Sequence, residues 1–132
     1  KYIAEQKLKI EVYRRLSQAN SLEQLKELEE ELRDRFGPIP TAARRMLQLR
    51  ELNLRALGWK IENIHLETGY AVLRYRDAKL IRMLSHLHKN HLRVVDAHDA
   101  YWPLEAEETD GPAVLDELIA ALSAAEPPVL DV

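Results

Sequence analysis

The stretch L-G-W-K-I-E-N-I-H-L-E-T-G-Y-A-V-L-R-Y, residues 57–75, decides the fold. Up to Leu57 the apolar residues recur with the period of a helix, and from Trp59 the period moves towards two, the alternation of a strand. Ile61, and then Ile64 with Leu66, predict a strand bulged near Asn63; Tyr70–Tyr75 reads as its hairpin partner across Thr68-Gly69.

Towards the amino terminus the pattern is helical throughout. Residues 5–18 set Leu8, Val12 and Leu16 at fourfold spacing with Ile10 and Tyr13 beside them. Ser21 and Gln24 form a capping box ahead of Leu22, Leu25, Leu28, Leu32 and Phe36, and Gly37 ends that helix. Pro38 and Pro40 forbid its continuation; Thr41 caps a third helix over 42–57 that stops at Gly58.

Beyond the hairpin, Asp77 caps a short helix carrying Ala78, Ile81, Met83, Leu84 and Leu87. His91–Ala97, led by Val94 and Val95, is a third strand candidate, and Ala100–Leu104 a fourth. Asp110-Gly111-Pro112 opens a last helix with Leu115, Leu118, Ile119 and Leu122 inward, which Pro127-Pro128 should end. The expected class is α+β: about five helices with a small, mostly antiparallel sheet of three or four strands. We expect one domain over 1–132, with a helical part at 1–58, sheet and helices at 59–126 and a loose tail at 127–132. A chain that opens on Lys1 also reads as a piece of a longer polypeptide.

Composition narrows the function. The 132 residues are 46% hydrophobic and 31% charged with no cysteine, so a core can form without disulfides, and thiol chemistry is excluded. No apolar run approaches the roughly 18 residues of a membrane span, and no membrane partner is expected. Charge is divided unevenly: residues 1–60 carry 13 bases and 9 acids, 61–93 carry 6 and 3, and 94–132 carry none and 10. The last third therefore cannot grip a phosphate backbone, where each contact wants a cation.

An enzyme reading finds no site. The glycines precede Pro38, Trp59, Tyr70 and Pro112, leaving neither G-K-[ST] nor G-x-G-x-x-G. His86, His88, His91 and His98 are close in sequence but lack H-E-x-x-H spacing, and exposure at the surface is the expectation for them. Ser17, Ser85 and Ser123 lack an elbow motif. No catalytic residue, metal or cofactor is assigned.

The second helix is the informative element. One arc carries its leucines and Phe36, and the opposite side gathers Glu23, Glu27, Glu30, Glu31 and Asp34. A solvated face is the plain account. Against it, Glu23, Glu27 and Glu31 are successive i,i+4 like-charge pairs, as are Glu30 and Asp34, each costing about 0.2–0.5 kcal/mol in an isolated helix. Lys26 with Glu30 and Glu31 with Arg35 recover only part. Arginines of a partner, gripping carboxylates with two hydrogen bonds, would turn repulsion into affinity. Arg50 falls in the apolar arc of the third helix and reads as a structural cation paired to an acid, or one that snorkels to the edge.

L-K-I-E-V-Y-R-R-L at 8–16, S-L-E-Q-L at 21–25, E-E-E-L-R-D-R-F-G-P-I-P at 29–40 and L-G-W-K-I-E at 57–62 together resemble the carboxy-terminal domain of bacterial transcription-repair coupling factor. D-R-F-G before a proline-bounded link is the most specific part. The resemblance implies a non-catalytic, autoinhibitory domain of an ATP-driven DNA translocase in the bacterial cytoplasm. The parent acts on DNA and stalled RNA polymerase through other domains and recruits UvrA. The domain itself packs on a UvrB-like amino-terminal module and masks its UvrA-binding surface. Carried over by motif, Glu31 and Asp34 face arginines of that module; Glu27 and Glu30 join them by geometry alone. The alternative is an accessory DNA contact through Arg14, Arg15, Arg44, Arg45 and Arg55.

Overall fold

The capping signal at Ser21 acts where the sequence places it, whereas Thr41, expected to cap the third helix, is already helical and the Pro40 carbonyl accepts the Arg44 amide at 2.9 Å. In the computed structural model, which describes residues 2–128 and side chains from Gln6 onward, the Ser21 hydroxyl accepts the Gln24 amide at 3.1 Å and the Gln24 side chain accepts that of Asn20 at 2.8 Å. Two donors that no helical carbonyl can reach are thereby satisfied. Around this cap run α1 (Tyr2–Leu16), α2 (Leu22–Phe36) and α3 (Thr41–Gly58). Gly37 ends α2 at φ 80°, a left-handed conformation costly for any residue with a Cβ, and donates to Arg33 O at 2.8 Å.

The chain divides into two compact units, one up to Leu54 and one from Arg55. In the first, Leu8, Val12, Leu25, Leu28, Leu32, Ile39, Ala43, Leu47 and Leu54 form one buried cluster, with Phe36 and Met46 packed against it. Val12 and Leu32 are wholly buried, and each such side chain contributes about 1.5–3 kcal/mol. Ile10 and Tyr13, expected beside this core, instead point outward at 59% and 75% exposure, because fourfold spacing fills the buried arc without them. Arg50 is structural, with a partner other than an acid: its Nε and Nη2 donate to the Ala19 carbonyl at 3.1 and 2.9 Å. That oxygen follows the end of α1, where carbonyls lack helical donors, and the fork of the guanidinium supplies two.

The second unit holds β1 (Ile61–Glu67), β2 (Tyr70–Tyr75), α4 (Ala78–Leu87), β3 (Arg93–Val94), β4 (Asp99–Pro103) and α5 (Gly111–Leu122). The sheet is antiparallel in the order β1-β2-β4-β3, which completes an α+β fold of five helices and four strands. Register slips between Ile61 and Asn63, so the bulge is where the sequence puts it.

Most boundaries shift by one to three residues, and two differ by more. The third strand shrinks from His91–Ala97 to Arg93–Val94 because the Asp96 carboxylate accepts the His98 and Asp99 amides, both at 2.8 Å, and turns the chain just after Val95, whose amide still bonds the Asp99 carbonyl at 3.0 Å. Those bonds, that from His98 foremost, also hold the Asp96 carboxyl below its usual range. The last helix ends at Leu122, ahead of Pro127-Pro128. The Trp59 indole donates to the Leu122 carbonyl at 3.0 Å, which anchors that end of α5 to the start of the sheet. The tail expected at 127–132 lies, from residue 129, outside the described residues.

Candidate functional site

α2 is fixed by its inner face. Leu25, Leu28 and Leu32 are buried, which determines the rotation of the helix and turns Glu23, Glu27, Glu30, Glu31 and Asp34 to the exposed side. At about 100° per residue, Glu23, Glu27, Glu30 and Asp34 share an arc of roughly 60°, with Glu31 about 40° beyond it towards the Leu28 edge.

The charges on this face are unequally partnered. Glu31 Oε2 lies 2.6 Å from Arg15 Nη2 of α1, a pair whose side chains remain 45% and 31% exposed. Arg35 approaches Glu11 at 3.9 Å, and Arg33 approaches Glu29 at 3.8 Å. The pairs expected from sequence, Lys26 with Glu30 and Glu31 with Arg35, do not form among the described residues; for the second, Arg15 and Glu11 of α1 offer partners instead. Glu23, Glu27, Glu30 and Asp34 enter no ion pair among the described residues. Beside them Arg15, Gln18, Gln24, Glu27, Leu28 and Glu31 line a shallow groove of about 240 Å³. Of the candidate residues, Glu27 and Glu31 thus share the groove, while Glu30 and Asp34 stand on the open face.

The five arginines of the alternative reading are used differently from one another. Arg15 is committed to Glu31, and Arg45 donates to Gln48 Oε1 at 2.6 Å. Arg55 is half-buried and has its own partner, while Arg14 and Arg44 are exposed.

The second unit contains a polar cluster that sequence reasoning passed over. His86 and His98 are exposed, but His88 and His91 are half-buried, against the expectation of surface histidines. Their Nε2 atoms hydrogen-bond the carbonyls of Ala121 at 2.8 Å and Pro103 at 2.7 Å, and both rings stand edge-on to Trp102. A carbonyl only accepts, so each Nε2 carries the proton. The Trp102 indole donates to Glu117 Oε2 at 2.6 Å, and the Glu105 and Ala106 amides donate to the same carboxylate. The sequence does carry a signal for it: Glu117 borders the apolar arc of α5, one helical turn from both Val114 and Ala121. Among the described residues, no group of three His, Asp or Glu side chains is arranged to hold a metal. No described helix is long and apolar enough to cross a membrane.

Comparison with known proteins adds the family context. A family model described as TRCF domain matches residues 1–85. The transcription-repair-coupling factor of Staphylococcus haemolyticus (strain JCSC1435) is 38% identical over 56 residues, 42% of this chain and 5% of that protein. That of Rickettsia bellii (strain RML369-C) is 28% identical over 80 residues, 60% of this chain and 7% of that protein. The chain therefore corresponds to a small fraction, 5–7%, of the length of these curated relatives. A crystal structure of the C-terminal domain of transcription-repair coupling factor superposes with a TM-score of 0.64 at 16% identity, over 87% of this chain and 76% of the other, a likeness of fold.

Proposed function

The chain belongs to the TRCF domain family, and from that premise we propose that it is a non-catalytic, autoinhibitory domain of a bacterial, cytoplasmic transcription-coupled repair translocase. It packs against the UvrB-like amino-terminal module of the same polypeptide through α2 and masks the surface on which that module receives UvrA. DNA, RNA polymerase and ATP are handled by other parts of the parent. Glu31 and Asp34 grip arginines of the module, and Glu27 and Glu30 extend the contact.

One observation carries this reading: four exposed carboxylates on a single arc of α2 have no cationic partner among the described residues, although Lys26, Arg33 and Arg35 sit on the same helix. Charge that the fold leaves unmatched on a rigid element is available to a neighbour of opposite sign. An interface of this kind is modest and polar, as a contact that must open requires.

The test is charge reversal. Glu31→Arg with Asp34→Arg keeps the far-UV spectrum of the chain, abolishes its binding to the UvrB-like module, and in the full-length protein raises UvrA binding. Unchanged affinity for both partners refutes the proposal. Salt-sensitive DNA binding by the chain, lost on replacing Arg14 and Arg44, would support an accessory DNA contact instead.

A further inference from the structure

Glu31 differs from its neighbours in already holding a guanidinium. Arg15 lies in the last turn of α1, where the helix dipole favours a cation, and places Nη2 2.6 Å from one oxygen of Glu31. The groove beside this pair has Leu28 at its side and the unpaired carboxylate of Glu27 one helical turn from Glu31. An arginine entering there meets Glu27 free and Glu31 half-engaged. Gripping Glu31 with both branches of its fork requires both carboxylate oxygens, and Arg15 holds one.

We propose that Arg15 is an internal counter-ion that competes with the partner's guanidinium for Glu31 and so sets the affinity of the docking face. The inference rests on the docking reading given above and specifies how that contact is regulated. Both side chains keep access to solvent, Glu31 more than the half-buried Arg15, and exchange of such a pair costs little. Arg15 therefore moderates docking and does not forbid it, which keeps the contact reversible. While the face is free, Arg15 also relieves the repulsion between Glu27 and Glu31.

The experiment titrates the 132-residue chain with the UvrB-like amino-terminal module, for wild type, Arg15→Gln and Arg15→Met. These are two neutral replacements of different shape, each checked by far-UV spectrum and urea midpoint, and each is also made in a Glu31→Gln background. Competition predicts that both neutral variants bind about two- to five-fold tighter, the range an exposed pair can supply. It further predicts that this gain disappears when Glu31 is Gln, and that Arg15→Lys, which keeps the charge but loses the fork, stays nearer wild type. Neutral variants that bind equally or more weakly overturn the inference: Arg15 would then merely orient Glu31. If they do so while Glu31→Arg with Asp34→Arg abolishes binding, the docking reading survives and only the competition fails. If charge reversal has no effect either, both fall together.

Discussion

Glu117 connects the strand that enters the middle of the sheet to the helix that closes the second unit, and removing it should be costly. Its carboxylate accepts from Trp102 Nε1 at 2.6 Å, the Ala106 amide at 2.8 Å and the Glu105 amide at 3.0 Å. Burial pushes the carboxyl up, but the Glu105 amide, the Trp102 indole and the Ala106 amide together outweigh burial and hold it below its ordinary value. Glu117→Ala leaves the indole N–H of the buried Trp102 and two loop amides without their acceptor. A hydrogen bond to a charged group contributes about 1.5–3 kcal/mol, and water can replace the exposed Glu105 bond, so the expected loss is about 2–3 kcal/mol. For a unit of this size that lowers the melting temperature by about 10–20 °C. Both tryptophans, Trp59 and Trp102, lie in the second unit, so urea unfolding followed by tryptophan fluorescence reports on it selectively. The effect is also pH-dependent. A carboxyl with a depressed folded value contributes stability above its unfolded pKa, 4.5, and loses it as pH falls through the folded value. The advantage of wild type over Glu117→Gln therefore holds down to about pH 5 and narrows as pH is lowered further, past about 4. An unchanged urea midpoint for Glu117→Ala, or a gap that does not narrow on acidification, would refute the reasoning.

The first unit supplies two further predictions, both read by urea unfolding with far-UV circular dichroism. Gly37→Ala should cost about 1 kcal/mol through backbone conformation alone, since φ is 80° and no atom lies within 4 Å of the added Cβ. Leu32→Ala, at a wholly buried position, should cost about 3 kcal/mol, whereas Tyr13→Ser, at 75% exposure, should stay within about 0.5 kcal/mol; equal effects would contradict the assigned face of α1.

What the sequence makes legible is local. The Ser21 cap, the Gly37 stop, the bulge between Ile61 and Asn63 and the caps at Asp77 and Asp110 all depend on residues within a few positions of each other, and all appear at those positions. The rest depends on tertiary partners. Val94 and Val95 have strand propensity, but the Asx turn made by Asp96 ends the strand. Arg50 looks like a misplaced cation until the Ala19 carbonyl, 31 residues away, is brought to it. His88 and His91 lie in the turn that follows a short helix, and nothing in their spacing shows that Trp102 will pack against both. On α2 the period gives the acidic arc, but that Glu31 alone among the five finds a cation depends on the approach of α1.

The energetics of α2 also decide what its acidic face signifies. Its like-charge pairs cost an isolated helix about 1 kcal/mol in all, while three buried leucines contribute about 1.5–3 kcal/mol each. Packing therefore holds the helix whether or not anything binds it, and the stripe needs no partner for the fold to stand. The reason to assign it one is positional. Arg15 and Arg35 reach across to partners on the other helix, and Arg33 to one on its own, at the margins of the arc, and none reaches Glu27, Glu30 or Asp34 at its centre. Neutralisation stops where a docking cation would begin. Loss of Glu27, Glu30 or Asp34 should accordingly leave the stability of the first unit unchanged or slightly raised while weakening association, and variants that lost both together would show the face to be part of the fold.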